Sequence, residues 1–235
     1  MLSRRLFLAA TGAAFASPSS LRAAIADAVP ESLDHIILGV EDLDRGIAWV
    51  ERRGGVRAAM SGVHPGRGTR NALLALGGRR YLEIMAPDPA QPASSETRGL
   101  SHLSTPRIIG WASHLASATE IASRLSRAGI AFSGPTAGSR RRPNGRVLEW
   151  KTVELRDDLA GTLPFFIEWS PGSPHPSEDS PPGVTLSRFV AGAPDPTTLA
   201  ARADALGIAL HVRRQPHLGL HATFRGLKGE FDVSG

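Results

Sequence analysis

The feature that most constrains the fold is a plan that recurs three times along the 235 residues. "DHIILGVEDLDRGIAWVERRGGV", "RIIGWASHLASATEIASRLSRAGI" and "SRFVAGAPDPTTLAARADALGI" each open on a short apolar strand and pass into a polar helix start. Those starts carry Asp42 and Asp44, Ser117 and Thr119, and Asp195 and Thr197, side chains that accept from the free N–H groups of a first helical turn. Ile47 and Val50 stand three apart, Ile121 and Leu125 four apart, and Leu199 and Ala203 four apart, so each helix has one apolar face. Each ends at a glycine followed by a branched residue: Gly55-Val56, Gly129-Ile130 and Gly207-Ile208. Glycine there supplies the left-handed cap.

Strands follow every helix. In the first block they are 56–60, "NALLALG" (71–77) and "RRYLEIMAP" (79–87), with a tight turn at Gly77-Gly78. The second has a strand near 130–133, then "RVLEWKTVEL" (146–155) and "LPFFIEWSP" (163–171), with a turn at Asn144-Gly145. The third has "IALHVRR", "LHATFRG" and "EFDVSG". The unit is βαβββ, and the fold class is α+β. The expected organisation is a first module over 33–88, a second over 100–172, a Pro-rich linker over 173–183 and a third unit over 184–235. The Pro-rich stretches 86–99 and 170–183 read as flexible loops.

Composition narrows the chemistry. The absence of cysteine excludes disulfides, thiol catalysis and Cys-based zinc sites. A formal charge of +5 is too small for a nucleic-acid footprint. Residues 1–28 stand apart from the fold. "SRRLFL" resembles the twin-arginine export signal, with Arg4, Arg5, Phe7 and Leu8 in order and Ala9 replacing the usual final Lys. The apolar run behind it is too short for a membrane anchor. Ala14-Phe15-Ala16, Ala24-Ile25-Ala26 and Ala26-Asp27-Ala28 are small-x-small cleavage sites. The expectation is carriage by the twin-arginine machinery to the periplasm or the extracellular space, against the alternative of a short cytoplasmic helix.

Two βαβββ units side by side resemble the vicinal oxygen chelate superfamily of glyoxalases and extradiol dioxygenases, and more narrowly its glyoxalase-like domain proteins. The resemblance rests on "LDHIILGVEDLDRGI", "HPGRGTRNALLALG", "YLEIMAP", "GWA", "PNG" and "LPFFIEW", in that order. It implies paired modules whose mixed sheets curl into a cup, with a metal held by one side chain from the first and one from the last strand of each module. Carried over, this names His35 and Glu83 from the first module and Glu168 from the second, with Gly110 opposite His35 and unable to ligate. The resemblance thus implies a His-Glu-Glu trio for Zn²⁺, Mn²⁺, Fe²⁺ or Ni²⁺, with Glu168 either ligand or catalytic base. The bland alternative puts both glutamates on the solvated side of a half-exposed sheet.

"HPGRGTRNALL" (64–74) gathers two glycines, Arg67, Arg70 and Asn71 ahead of a strand, and is a candidate binding loop for a carboxylate or phosphate. Trp111, beside Gly110, is a candidate pocket wall or ordinary core. The third unit offers no matching ligands and is expected to pack on the sheet edge or to cover the cup. Two functions remain open: a metal-dependent lyase, isomerase or dioxygenase acting on a small oxygen-chelating molecule, or a metal-free protein that binds or sequesters a small ligand. Both modules lie in one chain, so monomer and homodimer are both compatible.

Overall fold

A computed structural model of the protein describes residues 29–114, 116–142 and 145–235. Residues 1–28, expected to be an export signal, and Asn144 of the expected turn lie outside the described residues. The first module runs β1 (Leu33–Gly39), α1 (Leu43–Gly54), β2 (Ala59–His64), β3 (Thr69–Gly77) and β4 (Arg80–Pro87). A short helix α2 (Ser95–Leu100) leads to the second: β5 (Arg107–Ser113), α3 (Ala118–Arg127), β6 (Phe132–Arg141), β7 (Val147–Leu155) and β8 (Phe165–Trp169). The third unit is β9 (Thr185–Ala193), α4 (Pro196–Ala205), β10 (Val212–Arg214), β11 (Gly219–Gly226) and β12 (Gly229–Ser234).

Local chemistry sets the helix ends. Asp42, Ser117 and Asp195 each accept from backbone N–H groups of the first turn, and Gly55 closes α1 with φ 78°. Ile47 and Val50, Ile121 and Leu125, and Leu199 and Ala203 are the faces buried.

β1 to β8 form one sheet in the order β2-β3-β4-β1-β5-β8-β7-β6. Within each module the first and last strands pair in parallel, β1 with β4 and β5 with β8, and the modules join through antiparallel β1 and β5. That junction is a local twofold. The pairs His35–Ala112 and Ile37–Gly110 flank the central pair Ile36–Trp111, so His35 of one module corresponds to Gly110 of the other. Two register breaks obey the same symmetry: Asp34 is the extra residue in β1, Ile109 the extra residue in β5. The outer strands curl toward each other, and a Cβ on Gly62 of β2 would stand 3.1 Å from the Arg141 carbonyl at the end of β6.

The third unit repeats the order of elements but not the pairing. Its strands run β10-β9-β11-β12, with the first strand inside the sheet rather than beside the last. It makes no second cup, and it neither extends the sheet edge nor covers the cup. Instead it packs on the outer, helix-bearing face: Phe189 meets the Trp111 indole at 5.2 Å, and Phe231 meets Trp49 of α1 at 6.4 Å. Its role is a brace, fixed by the burial of Phe189, Leu220, Ala222 and Phe224. The linker is also tied down, contrary to its Pro-rich composition. Pro181 accepts from Ala75 N–H, Asp179 pairs with Arg142, and His175 is buried against Asp34.

Candidate functional site

The cup is a cavity of about 850 Å³ on the inner face of the eight-stranded sheet. Strand alternation decides what faces it. On β4, Tyr81, Glu83 and Met85 line the cavity while Leu82 and Ile84 enter the core; on β8, Phe165, Ile167 and Trp169 line it while Phe166 is buried behind.

The bulge in β1 builds the centre of the site. An extra residue puts neighbouring side chains on the same side of a strand, and Asp34 and His35 therefore meet, with Nδ1 of His35 2.7 Å from Oδ1 of Asp34. Trp169 Nε1 donates to Oδ2 of Asp34 at 3.0 Å, and His175 Nε2 donates to the same oxygen at 3.2 Å. Burial alone would raise the Asp34 carboxyl, but its hydrogen bonds with His114, His175 and His35 hold it well below the usual carboxylate range. An ionised Asp34 accepts, so His35 Nδ1 carries the proton and Nε2 is left to face the cup. The His35 ring stacks on Tyr81 at 4.5 Å and meets the Phe165 ring edge at 5.5 Å.

Glu83 stands across from His35, with Oε2 3.6 Å from Nε2. Its Oε1 accepts from Asn71 Nδ2 at 2.5 Å and lies 3.5 Å from His64 Nε2. Burial opposes the charge on Glu83, yet His64, His35, Arg140 and the Asn71 bond together lower its pKa, so it is ionised at neutral pH. Arg140 Nη1 donates to His64 Nε2 at 3.2 Å, and His64 Nδ1 donates to Thr69 Oγ1 at 2.8 Å. Burial is the main reason that the His64 pKa is pushed down to about 4 from 6.5, with Glu83 opposing and Arg140 assisting.

That shift has a measurable sign. The unfolded chain takes up a proton on His64 below about pH 6.5, the folded one only near pH 4, so stability falls as pH drops across that window. A shift from 6.5 to about 4 corresponds to about 3 kcal/mol. Urea unfolding at pH 7, 5.5 and 4.5 is expected to show this loss, and His64→Gln to flatten it. An equal slope in both proteins would assign the acid sensitivity to other groups.

The residues named from the sequence divide. His35, Glu83 and Asn71 come together at the cup floor, and Arg67 reaches its rim. Arg70 does not join them. Its strand neighbours Thr69 and Asn71 turn to the His64 side, and Arg70 sits on the other face of β3, near Asp88. Trp111 is wholly buried, with its indole N–H donated to Thr162 O at 3.0 Å and its ring on Phe189. Its side chain is core, and it borders the cup without offering a polar group.

Glu168 is the main correction. It alternates with Ile167 and Trp169 and so leaves the cup, where its Oε2 accepts from Ala118 N–H at 2.7 Å at the start of α3. The twofold shows why the match of the two glutamates fails. Ile37 pairs with Glu83, and its counterpart Ala112 pairs with Phe165. Phe165, three residues before Glu168, holds the position equivalent to Glu83. Gly110 holds the position equivalent to His35, and a Cβ there would meet nothing within 4 Å. The second module thus offers an open space and a phenyl ring where the first offers an imidazole and a carboxylate.

This arrangement fits a divalent metal poorly. Glu168 is out of reach, and the second module supplies no donor from β5 or β8 to the floor. Within the first module His64 is the remaining nitrogen near Glu83, but its Nε2 already accepts from Arg140, whose positive charge lies where a second cation would have to enter. Glu83 draws its countercharge from Arg140 and its hydrogen bond from Asn71. Among the described residues no group of three or more His, Asp or Glu side chains is disposed to hold a metal ion.

The residues that sequence reasoning passed over are Asp34, His64 as a partner of Glu83, Arg140 and His175. The adjacent pair Asp34-His35 was a usable signal. Arg140 sits in a basic run that reads as a surface hairpin tip, and only the curl of β6 toward β2 buries it.

Among solved structures, a hypothetical protein from Staphylococcus aureus matches with a TM-score of 0.61 at 15% identity, over 86% of this chain and 84% of that one. Methylmalonyl-CoA epimerase from Mycobacterium tuberculosis matches with a TM-score of 0.44 at 23% identity, over 60% of this chain and 88% of that one. No curated protein matches the sequence. The family model of the glyoxalase-like domain matches residues 33–207. The repeated βαβββ modules, the curled sheet and that match have one conclusion: the chain belongs to the glyoxalase-like domain family.

Proposed function

We propose that this protein is an exported enzyme that moves a proton on a small, oxygen-rich carboxylate held in the cup, without a divalent metal. The observation that carries the reading is the bulge-made pair Asp34–His35, joined at 2.7 Å, which leaves His35 Nε2 facing the cavity. His35 is the general base. Asp34 fixes its tautomer, and Asp34 and Glu83 flank the ring so that the imidazolium formed on proton uptake is stabilised on both sides. Arg140 supplies the cation for a substrate carboxylate or for the enolate oxygen that develops as the C–H proton leaves. Export rests on "SRRLFL", and the periplasm or the extracellular space is the proposed location.

A second reading, ligand binding without chemistry, is favoured by the room at Gly110, which suits a site that holds rather than turns over. One experiment separates the two. The purified protein is incubated in D₂O with a panel of 2-oxo and 3-oxo acids, and loss of the C–H signal is followed by proton NMR. Exchange above the buffer rate, reduced about 100-fold or more in His35→Gln and unaffected by EDTA, is the expected result. Saturable binding with no exchange would establish the second reading. Exchange abolished by EDTA and restored by Zn²⁺, Mn²⁺, Fe²⁺ or Ni²⁺ would return the site to metal-dependent chemistry.

A further inference from the structure

The asymmetry between the two modules bears on the ligand itself. The floor at His35 and Glu83 is polar and filled, whereas the twofold-related corner at Gly110 and Phe165 is open and aromatic. A side chain at Gly110 would project into space with no atom within 4 Å. Phe165 stands beside that space, one strand over from Gly110, and its ring meets the His35 imidazole edge-on at 5.5 Å. A phenyl face there favours an inserted ring through stacked or edge contacts. A cavity of about 850 Å³ is also far larger than a three- or four-carbon acid requires and lies within the range typical of drug-sized ligands.

Arg140 supplies the second, independent sign. Its side chain is 5% exposed and lines the cup, and its Nε has no hydrogen-bond partner among the described residues. Its guanidinium is thus a cation on the wall of the cup, the group that a ligand carboxylate would pair with.

We propose that the substrate class is an aryl-substituted carboxylate: the carboxylate pairs with Arg140, the acidic C–H lies at His35, and the aromatic ring fills the open corner over Gly110 against Phe165. This deepens the proton-transfer reading and rests on it for the placement of the C–H. The corner vacated by the second module is then the specificity pocket, and Gly110 is its determinant by the side chain it lacks.

Two 3-oxo acids that share the reacting end test this. Benzoylacetate carries a phenyl group where acetoacetate carries a methyl. Binding of each is measured by calorimetry, and exchange of the central C–H protons in D₂O by NMR in the same samples. Benzoylacetate is expected to bind at least tenfold more tightly than acetoacetate. In Gly110→Leu, whose side chain enters free space and leaves the fold intact by circular dichroism, that binding is expected to fall at least tenfold. Equal binding of the two acids, or benzoylacetate binding untouched by Gly110→Leu, would overturn the aryl pocket while exchange of either acid upheld the proton-transfer function. Tight benzoylacetate binding without exchange would uphold the pocket and remove the chemistry. Binding of neither would overturn the aryl carboxylate class.

Discussion

Asp34→Ala is expected to lower the stability of the folded protein by about 3–5 kcal/mol, the usual range when one partner of a buried charged network is removed. The Asp34 carboxylate accepts from His35, Trp169 and His175 at 2.7, 3.0 and 3.2 Å, and it is the shared acceptor of all three. Removing it strands two buried imidazole donors and a part-buried indole N–H. Asp34→Asn is the informative control. It keeps the shape and one acceptor oxygen but loses the charge, so an intermediate loss is expected. Its amide can also donate to His35, which would favour the wrong tautomer and suppress exchange more than stability. Urea unfolding of the two variants, read against their exchange rates, checks both halves. Two variants equally mild in stability would show that the network is not cooperative, and unchanged exchange in Asp34→Asn would remove Asp34 from the role of orienting His35.

Arg140→Met is expected to cost a similar amount at neutral pH, about 3–5 kcal/mol, for a different reason. Here a buried carboxylate, Glu83, loses its countercharge, and His64 loses the donor on its Nε2. The pH dependence distinguishes this from simple loss of packing. Arg140 helps to hold the Glu83 pKa below 4.5, so its contribution is present above that value and is lost as pH falls through the lowered folded value. The unfolding curves of wild type and variant should therefore converge on acidification. A deficit that stays constant from pH 7 to pH 3 would mean that the aliphatic stem, not the charge, carries the effect. Arg140→Lys, which keeps a positive charge beside Glu83 but not the planar guanidinium fork, is expected to recover part of the loss.

How far the sequence revealed this protein depends on the range of the interaction concerned. Capping residues, apolar helix faces and closing glycines act within a few residues, and Asp42, Ile47, Val50 and Gly55 are readable one by one. The repeat then orders the elements. Pairing is set at longer range, which is why the third unit, with the same order of elements, takes a different sheet order: Phe189 and Phe224 find a surface on the outside of β5 and α1 that no local pattern announces. The floor of the cup was partly visible through His35, Glu83 and Asn71. Its second half was not, because register decides it. Two glutamates that look equivalent in "YLEIM" and "FFIEW" differ by three positions once β5 and β8 are paired, and an odd shift sends Glu168 to the opposite face. Asp34 and Arg140 depend on a bulge and on the approach of two sheet edges, which no single-residue propensity encodes.

The contact between His175 and Asp34 joins residues 141 positions apart in the chain. It makes the order of assembly a property of the site. The first module can form its strands early in synthesis, but Asp34 lacks this partner until the segment after β8 has emerged and folded back. Contacts of such sequence separation form late, after the entropy of closing the intervening loop has been met. The His35 centre therefore matures only in a chain that has already brought both modules together, and a fragment ending at β8 would hold the cup but not the finished centre.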